Sequence, residues 1–321
     1  AAREQNKHVI LPQDNAGEAS LIQGLSLYPA DSLAQVYMHL VEQEKIPLLS
    51  SSQATFKPQK SPLDMQDIVG QSLAKRALEI AAAGEHHILF TGPPGTGKTM
   101  LANRLPGILP PMTEQQALET AAIASISKKG DIAEHWLQRP FRSPHHTSSA
   151  VALVGGGSHP RPGEISLANH GILFLDELTE FDRKVLDVLR EPLESGTVCI
   201  SRAARQATFP AKFQLVAAMN PSPTGDIDDG RTSSEVILRY LNRLSGPFLE
   251  RIDLQVEVAR IPSHEFGSEI TNKGESNEVI QQRVIQAREL QITRNGKTNA
   301  NLTGNELSEV CQLSADERDF L

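Results

Sequence analysis

The spacing of apolar positions changes several times along the chain, and the changes divide it. In residues 1–50, short apolar stretches alternate with polar ones in "HVILPQDNAGEASLIQGLSLYPADSLAQVYMHLVEQ". That pattern predicts strand, helix, strand and a helix from about Asp31 to Gln43, and reads as the end of a domain begun upstream. The following "LLSSSQATFKPQKSPLDM" is rich in Ser, Pro, Gln and Lys and has no period, so it reads as a linker over 51–62 with a boundary near Ser61. From 63 to 262, apolar runs of strand length ("HILFT", "GILFLDE", "FQLVAAMN", "IDLQVEV") alternate with helical stretches. Strands that are apolar throughout are buried on both faces, so an α/β core with a mainly parallel, helix-covered sheet is expected. Beyond Pro262, a polar stretch and helical segments at about 276–292 and 304–321 predict the start of a helical lid, spanning 263–321.

Composition narrows the class. With 321 residues, 39% of them hydrophobic and 22% charged, the chain can bury one large core and a smaller one. Its longest apolar runs fall far short of the roughly 20 residues a spanning helix needs, and its N-terminus lacks a signal pattern. A cytoplasmic protein without membrane partners is expected. Two distant cysteines, Cys199 and Cys311, supply neither a disulfide framework nor a local zinc knuckle, which fits a reducing compartment. A net charge of −8 excludes a general basic coat, so any nucleic-acid contact must come from local clusters.

Candidate chemistry begins at "GPPGTGKT", which follows an apolar strand and opens a helix. In that context Gly92, Pro93, Pro94, Gly95, Thr96 and Gly97 form a loop whose N–H groups can surround a polyphosphate at a helix N-terminus. Lys98 would reach the β- and γ-phosphates, and the Thr99 hydroxyl would ligate Mg²⁺. "ILFLDE" ends a buried strand in two carboxylates, Asp176 for the Mg²⁺ shell and Glu177 to deprotonate water. A helix N-cap with an acidic first turn is the competing reading, weakened by the loop at 92–99. "FQLVAAMNP" sets Asn220 at another strand end, where its amide can sense the γ-phosphate or merely make a turn before Pro221. Arg251, in "GPFLERIDLQVEV", suits either an arginine finger or a surface ion pair.

The stretch "GTVCISRAARQATFP" predicts a strand-turn-strand hairpin at 196–210. From Gly196 to Lys212 it carries Arg202, Arg205 and Lys212 and no acidic residue, a composition suited to tracking phosphates. A second cluster, "RPFRSPHHT" with "GGGSHPRPG", adds Arg139, Arg142 and Arg161. A solvated charged turn is the plain alternative for each. His145 and His146 read as packing residues, because no further metal ligand is spaced with them.

In this order, the elements resemble the AAA+ ring ATPases, and within them the magnesium-chelatase-like branch. The likeness to its ComM (YifB) group is carried by "RPFRSPHHTSSAVALVGGGSHPRPGEISLANHGILFLDELTEF", "RLPGILPPMTEQQALE" and "ISRAARQATFPAKFQLVAAMNP". The resemblance implies an AAA+ P-loop core preceded by the end of a Lon-like α+β domain. It also implies a Mg·ATP-driven homohexamer that binds single-stranded and branched DNA and promotes branch migration in recombination during natural transformation. The family pattern puts Walker A on Gly92–Thr99, Walker B on Asp176 and Glu177, the first sensor on Asn220 and the trans arginine finger on Arg251. "DIVGQSLAKRAL" resembles the segment bordering the adenine, with Ile68 and Val69 as contacts. Many relatives have cysteines just after "MNP"; Ser222 and Thr224 stand there in this chain, so no zinc is expected. The second sensor arginine is expected past Leu321, and Ser20 reads as a surface or packing residue. Two other outlets for ATP hydrolysis fit less well: a chelatase motor, which needs a partner subunit, and a Lon-like protein remodeller, whose channel would favour aromatics that form only 4% here.

Overall fold

The structure, a computed structural model, describes residues 2–3, 5–49, 61–127, 135–157, 159–202, 205–227, 231–261 and 274–320. The expected linker lies outside the described residues up to residue 60, as does the expected lid up to residue 273. Contacts group the chain into two compact units, residues 1–59 with 111–138, and 60–110 with 139–321.

In the first unit, strands β1 (Val9–Pro12) and β2 (Leu27–Ala30) pair in parallel and are followed by the helix Leu33–Leu40. Ser32 caps that helix by accepting from the Gln35 N–H. The unit also holds the helix Glu114–Ser127, a segment that sequence pattern assigns to the ATPase core. Its side chains account for the grouping: Ala117 packs with Leu21 and Trp136, and Arg3 pairs with Glu114 at 2.7 Å.

The second unit contains β3 (Ile88–Thr91), β4 (Phe141–Arg142), β5 (Gly155–Gly156), β6 (Arg161–Pro162), β7 (Ile172–Leu175), β8 (Thr197–Arg202), β9 (Arg205–Pro210), β10 (Gln214–Met219) and β11 (Leu254–Glu257). Five of these form one parallel sheet in the order β11-β3-β10-β7-β4. Alternate residues along each strand enter opposite cores. Ile88, Phe90, Ile172, Phe174, Val216 and Ala218 face the helices Ser72–Gly84, Lys98–Ile108 and Asn277–Asn295. Leu89, Leu173, Leu175, Leu215, Ala217 and Met219 join the second core, with Leu153, Phe181 and Phe248. Each large side chain so buried contributes about 1.5–3 kcal/mol, so the apolar runs leave the strands little choice of environment.

Two further elements complete the second unit. The helix Asn277–Asn295, in the stretch expected to begin a lid, buries Ile280 and Val284 in the first core. Asn277 pins its start, with the side-chain oxygen accepting from Met65 N–H at 2.9 Å and the amide donating to Leu63 O at 2.8 Å. Strands β8 and β9 form the expected antiparallel hairpin, with Arg202 opposite Arg205. Its apolar positions Val198, Ile200 and Phe209 are buried in the second core, while Cys199, Ser201, Gln206 and Thr208 face outward.

Candidate functional site

Four chain segments meet at the C-terminal edge of the sheet, where open parallel sheets bind ligands. The first is the loop from Gly92 to Gly97, between β3 and the helix Lys98–Ile108. Gly92 has to be glycine, because a Cβ there would lie 2.2 Å from the Val258 carbonyl oxygen. Gly97 caps the helix with φ 93°, a conformation that glycine adopts without strain. Lys98 Nζ donates to the carbonyls of Gly92 (2.6 Å) and Pro93 (2.9 Å) and to Asn220 Oδ1 (3.1 Å). Burial holds its pKa below the ordinary lysine value, opposed by the Asp176 carboxylate. An ammonium with only neutral oxygens within bonding distance is poised for phosphate, which would turn neutral contacts into charge-assisted ones.

The second segment is the end of β7. Thr99 Oγ1 donates to Asp176 Oδ2 at 2.7 Å, so the two expected Mg²⁺ ligands lie side by side. Hydroxyl and carboxylate oxygens are hard donors that fit Mg²⁺, and this ion commonly completes its shell with phosphate and water. Among the described residues no group of three or more His, Cys, Asp and Glu could hold a metal. A partial protein shell of this kind suits an ion that arrives with the nucleotide.

Glu177 has a left-handed backbone, φ 51°, and its N–H donates to Asp176 Oδ1 at 2.9 Å. That turn separates the two carboxylates: Asp176 remains at Thr99, and Glu177 projects outward, 56% exposed, to within 3.0 Å of His146 Nδ1. The His146 ring lies against His145 in a tilted pair with centroids 4.1 Å apart and meets Phe181 edge-on at 6.4 Å. Sequence reasoning assigned His146 to packing and missed its partner. No local spacing joins 146 to 177; the pairing of Phe141 with Ile172 brings the loop after β4 to the end of β7.

The third segment is the end of β10, which lies between β3 and β7, so Asn220 emerges between the phosphate loop and the carboxylates. The loop beyond it lies against the phosphate loop: a Cβ on Gly225 would come 2.7 Å from the Pro94 ring. Ser222 Oγ donates to Asp226 O at 2.7 Å and lies 3.1 Å from Thr224 Oγ1, which lies 3.0 Å from Thr232 Oγ1. Hydroxyls thus fasten the loop at the positions where the resemblance noted cysteines. The fourth segment runs from Ile68 to Gln71. Ile68 is buried in the first core and Val69 is half-buried, so of the two expected adenine contacts Val69 has the freer side chain.

Other expected residues lie elsewhere. Arg251 precedes β11, at the opposite edge of the sheet, and donates from Nε to Glu194 Oε1 at 2.7 Å. The structure therefore joins it to an acidic partner and not to the phosphate loop of its own chain. Arg142, expected as a DNA contact, donates from Nε to Glu164 Oε2 at 2.6 Å and keeps a partly exposed side chain. Arg139 is structural, donating to Pro110 O (2.8 Å) and His170 O (2.6 Å), and burial lowers its pKa to about 10. Arg161 and Lys212 are exposed. Arg202 and Arg205 end the hairpin strands next to residues 203–204, which lie outside the described residues, as do the side chains of both arginines.

Comparison with known proteins agrees with this arrangement. Residues 64–266 match the family "Magnesium chelatase, subunit ChlI", and residues 274–321 match its C-terminal family. All of the chain aligns with "Competence protein ComM" of Haemophilus influenzae at 51% identity, and 98% of it with "Uncharacterized protein YifB" of Salmonella typhimurium at 48%. The chain covers 64% and 62% of the lengths of these two relatives, just under two thirds. A "Magnesium-chelatase 67 kDa subunit" of Heliobacterium mobile is 24% identical over 62% of the chain. No helix among the described residues is long and apolar enough to cross a membrane. On the family match and these identities, the chain belongs to the magnesium-chelatase ChlI family of AAA+ proteins, in its ComM/YifB group.

Proposed function

We propose that this chain is the ATPase part of a cytoplasmic, ring-forming DNA motor that promotes branch migration during recombination in natural transformation. Lys98 and the loop amides would bind the phosphates, and Asn220 would orient the γ-phosphate end. Thr99 and Asp176 would hold Mg²⁺, which when bound would offset phosphate charge. Glu177 would take a proton from the attacking water onto its free carboxylate oxygen. Arg251 lies at the edge of the sheet opposite its own phosphate loop, which favours action on a neighbouring subunit and hence a homohexamer.

The observation that carries the DNA reading is the position of the hairpin. It leaves the chain after the helix that follows Glu177 and returns directly into β10, the strand that ends at Asn220. In chain order, the basic residues at 202, 205 and 212 thus fall between two segments of the proposed ATP site, Glu177 and Asn220. The name of the H. influenzae relative supports a competence role. The family match and the H. mobile relative favour a second reading, the motor of a metal chelatase, which would need a partner subunit instead of DNA.

ATP hydrolysis measured with and without forked DNA, alongside DNA binding at several salt concentrations, separates these readings. Stimulation is expected, and replacing Arg202 and Arg205 with Ala should flatten the logarithmic salt slope by about 2 while sparing basal hydrolysis. If forked DNA neither binds nor stimulates, the motor reading falls and the ATPase reading stands.

A further inference from the structure

Gln71 begins the helix Ser72–Gly84 in a left-handed conformation, φ 53° and ψ 38°. Any residue with a Cβ is strained there, and Gly or Asn adopts it more readily. Its side chain makes no capping bond to its own helix. Instead Nε2 donates to two distant carbonyls, Thr96 O at 3.2 Å and Ala259 O at 2.8 Å, which uses both N–H groups of the amide. Thr96 lies in the phosphate loop. Ala259 follows Val258, whose N–H donates to Thr91 O at 2.8 Å and whose carbonyl crowds Gly92. One amide thus connects the loop to the backbone leaving β11.

The peptide between Thr96 and Gly97 is trans, so its C=O and N–H point in opposite directions. Drawing the Thr96 carbonyl toward Gln71 turns the Gly97 N–H toward the other side of the loop. Without a fastener this unit could rotate, because Gly95 and Gly97, at φ 78° and 93°, have open space where a Cβ would stand. We propose that Gln71 is a positioning residue for ATP binding: it holds the Thr96–Gly97 peptide so that the Gly97 N–H faces the phosphates. This inference rests on the ATP-binding reading of the site. It also accounts for a glutamine at a strained position: Gly would relieve the strain but donate nothing, and Asn is one methylene shorter.

The test uses the full chain with Gln71→Gly and Gln71→Met, the second keeping the length but not the donors. The readouts are affinity for a non-hydrolysable ATP analogue with Mg²⁺ and the thermal midpoint without nucleotide. Both variants should bind at least about tenfold more weakly, and Gln71→Gly should keep or raise the midpoint because its backbone strain is gone. Parent-like affinity in Gln71→Gly, or affinity lost only together with a lowered midpoint, overturns the inference. A parent chain that binds no nucleotide overturns the ATP reading as well, whereas parent-like variants of a binding parent overturn only the role of Gln71.

Discussion

The two edges of the five-stranded sheet use similar side chains to opposite ends. At the N-terminal edge, polar groups are spent on the chain's own backbone. Gln214 Nε2 donates to Ala81 O (3.0 Å) and His86 O (2.7 Å), and His87 Nδ1 accepts from Leu215 N–H at 3.0 Å. Arg288 reaches the carbonyls of Ala82 and Ala83 and pairs with Glu85 at 3.0 Å. At the C-terminal edge the side chains hold one another: Lys98 with Asn220, Thr99 with Asp176, Glu177 with His146. Contacts of the first kind close the fold; contacts of the second kind are ones a ligand can replace. Changes at one edge should therefore cost stability, and changes at the other should cost chemistry.

The largest effect is expected from Glu177→Gln, which should lower ATP turnover by about 10²–10⁴-fold while leaving nucleotide affinity and thermal midpoint near parent values. Normal turnover in a single-turnover assay would move the base elsewhere and break the contrast. At the opposite edge, burial pushes the His87 pKa down to about 4, and its Nδ1 acts as an acceptor that protonation would remove. The unfolded chain, with an ordinary histidine pKa near 6.5, binds the extra proton first, so stability is full above that pH and falls as pH drops toward 4. The loss should reach about 3 kcal/mol, read by urea denaturation from pH 7 to pH 4 and diminished in His87→Asn. Arg288→Ala should cost about 2 kcal/mol by the same measurement, since the carbonyls it serves are left unpaired, with ATP affinity unchanged. The smallest effect belongs to Glu235→Ala, which removes a pair with Arg239 whose side chains are 83% and 75% exposed; under about 0.5 kcal/mol is expected. A larger value there would mean that burial is not what separates costly charges from idle ones.

Sequence legibility followed the range of the interaction. The phosphate-loop candidate is one contiguous string, so the turn that its glycines make between β3 and the next helix was legible from spacing alone. "ILFLDE" was legible for the same reason, because burial of the strand and its carboxylate tip are adjacent in the chain. His146 was not, since its relation to Glu177 exists only once β4 and β7 pair. Sequence reveals the positive charges of Arg139 and Arg142 but not the carbonyl and the carboxylate to which the structure joins them. The helix Asn277–Asn295 was legible as a helical segment after the polar stretch beyond Pro262, but its two positions buried in the first core, Ile280 and Val284, were not.

The mounting of the hairpin limits how it can move. One face of its strands is sealed into the second core through Val198, Ile200 and Phe209, so it is a spur set in a wall and not a hinged flap. On the proposed motor reading, a shift of that layer, β10 included, would carry strands β8 and β9 with it.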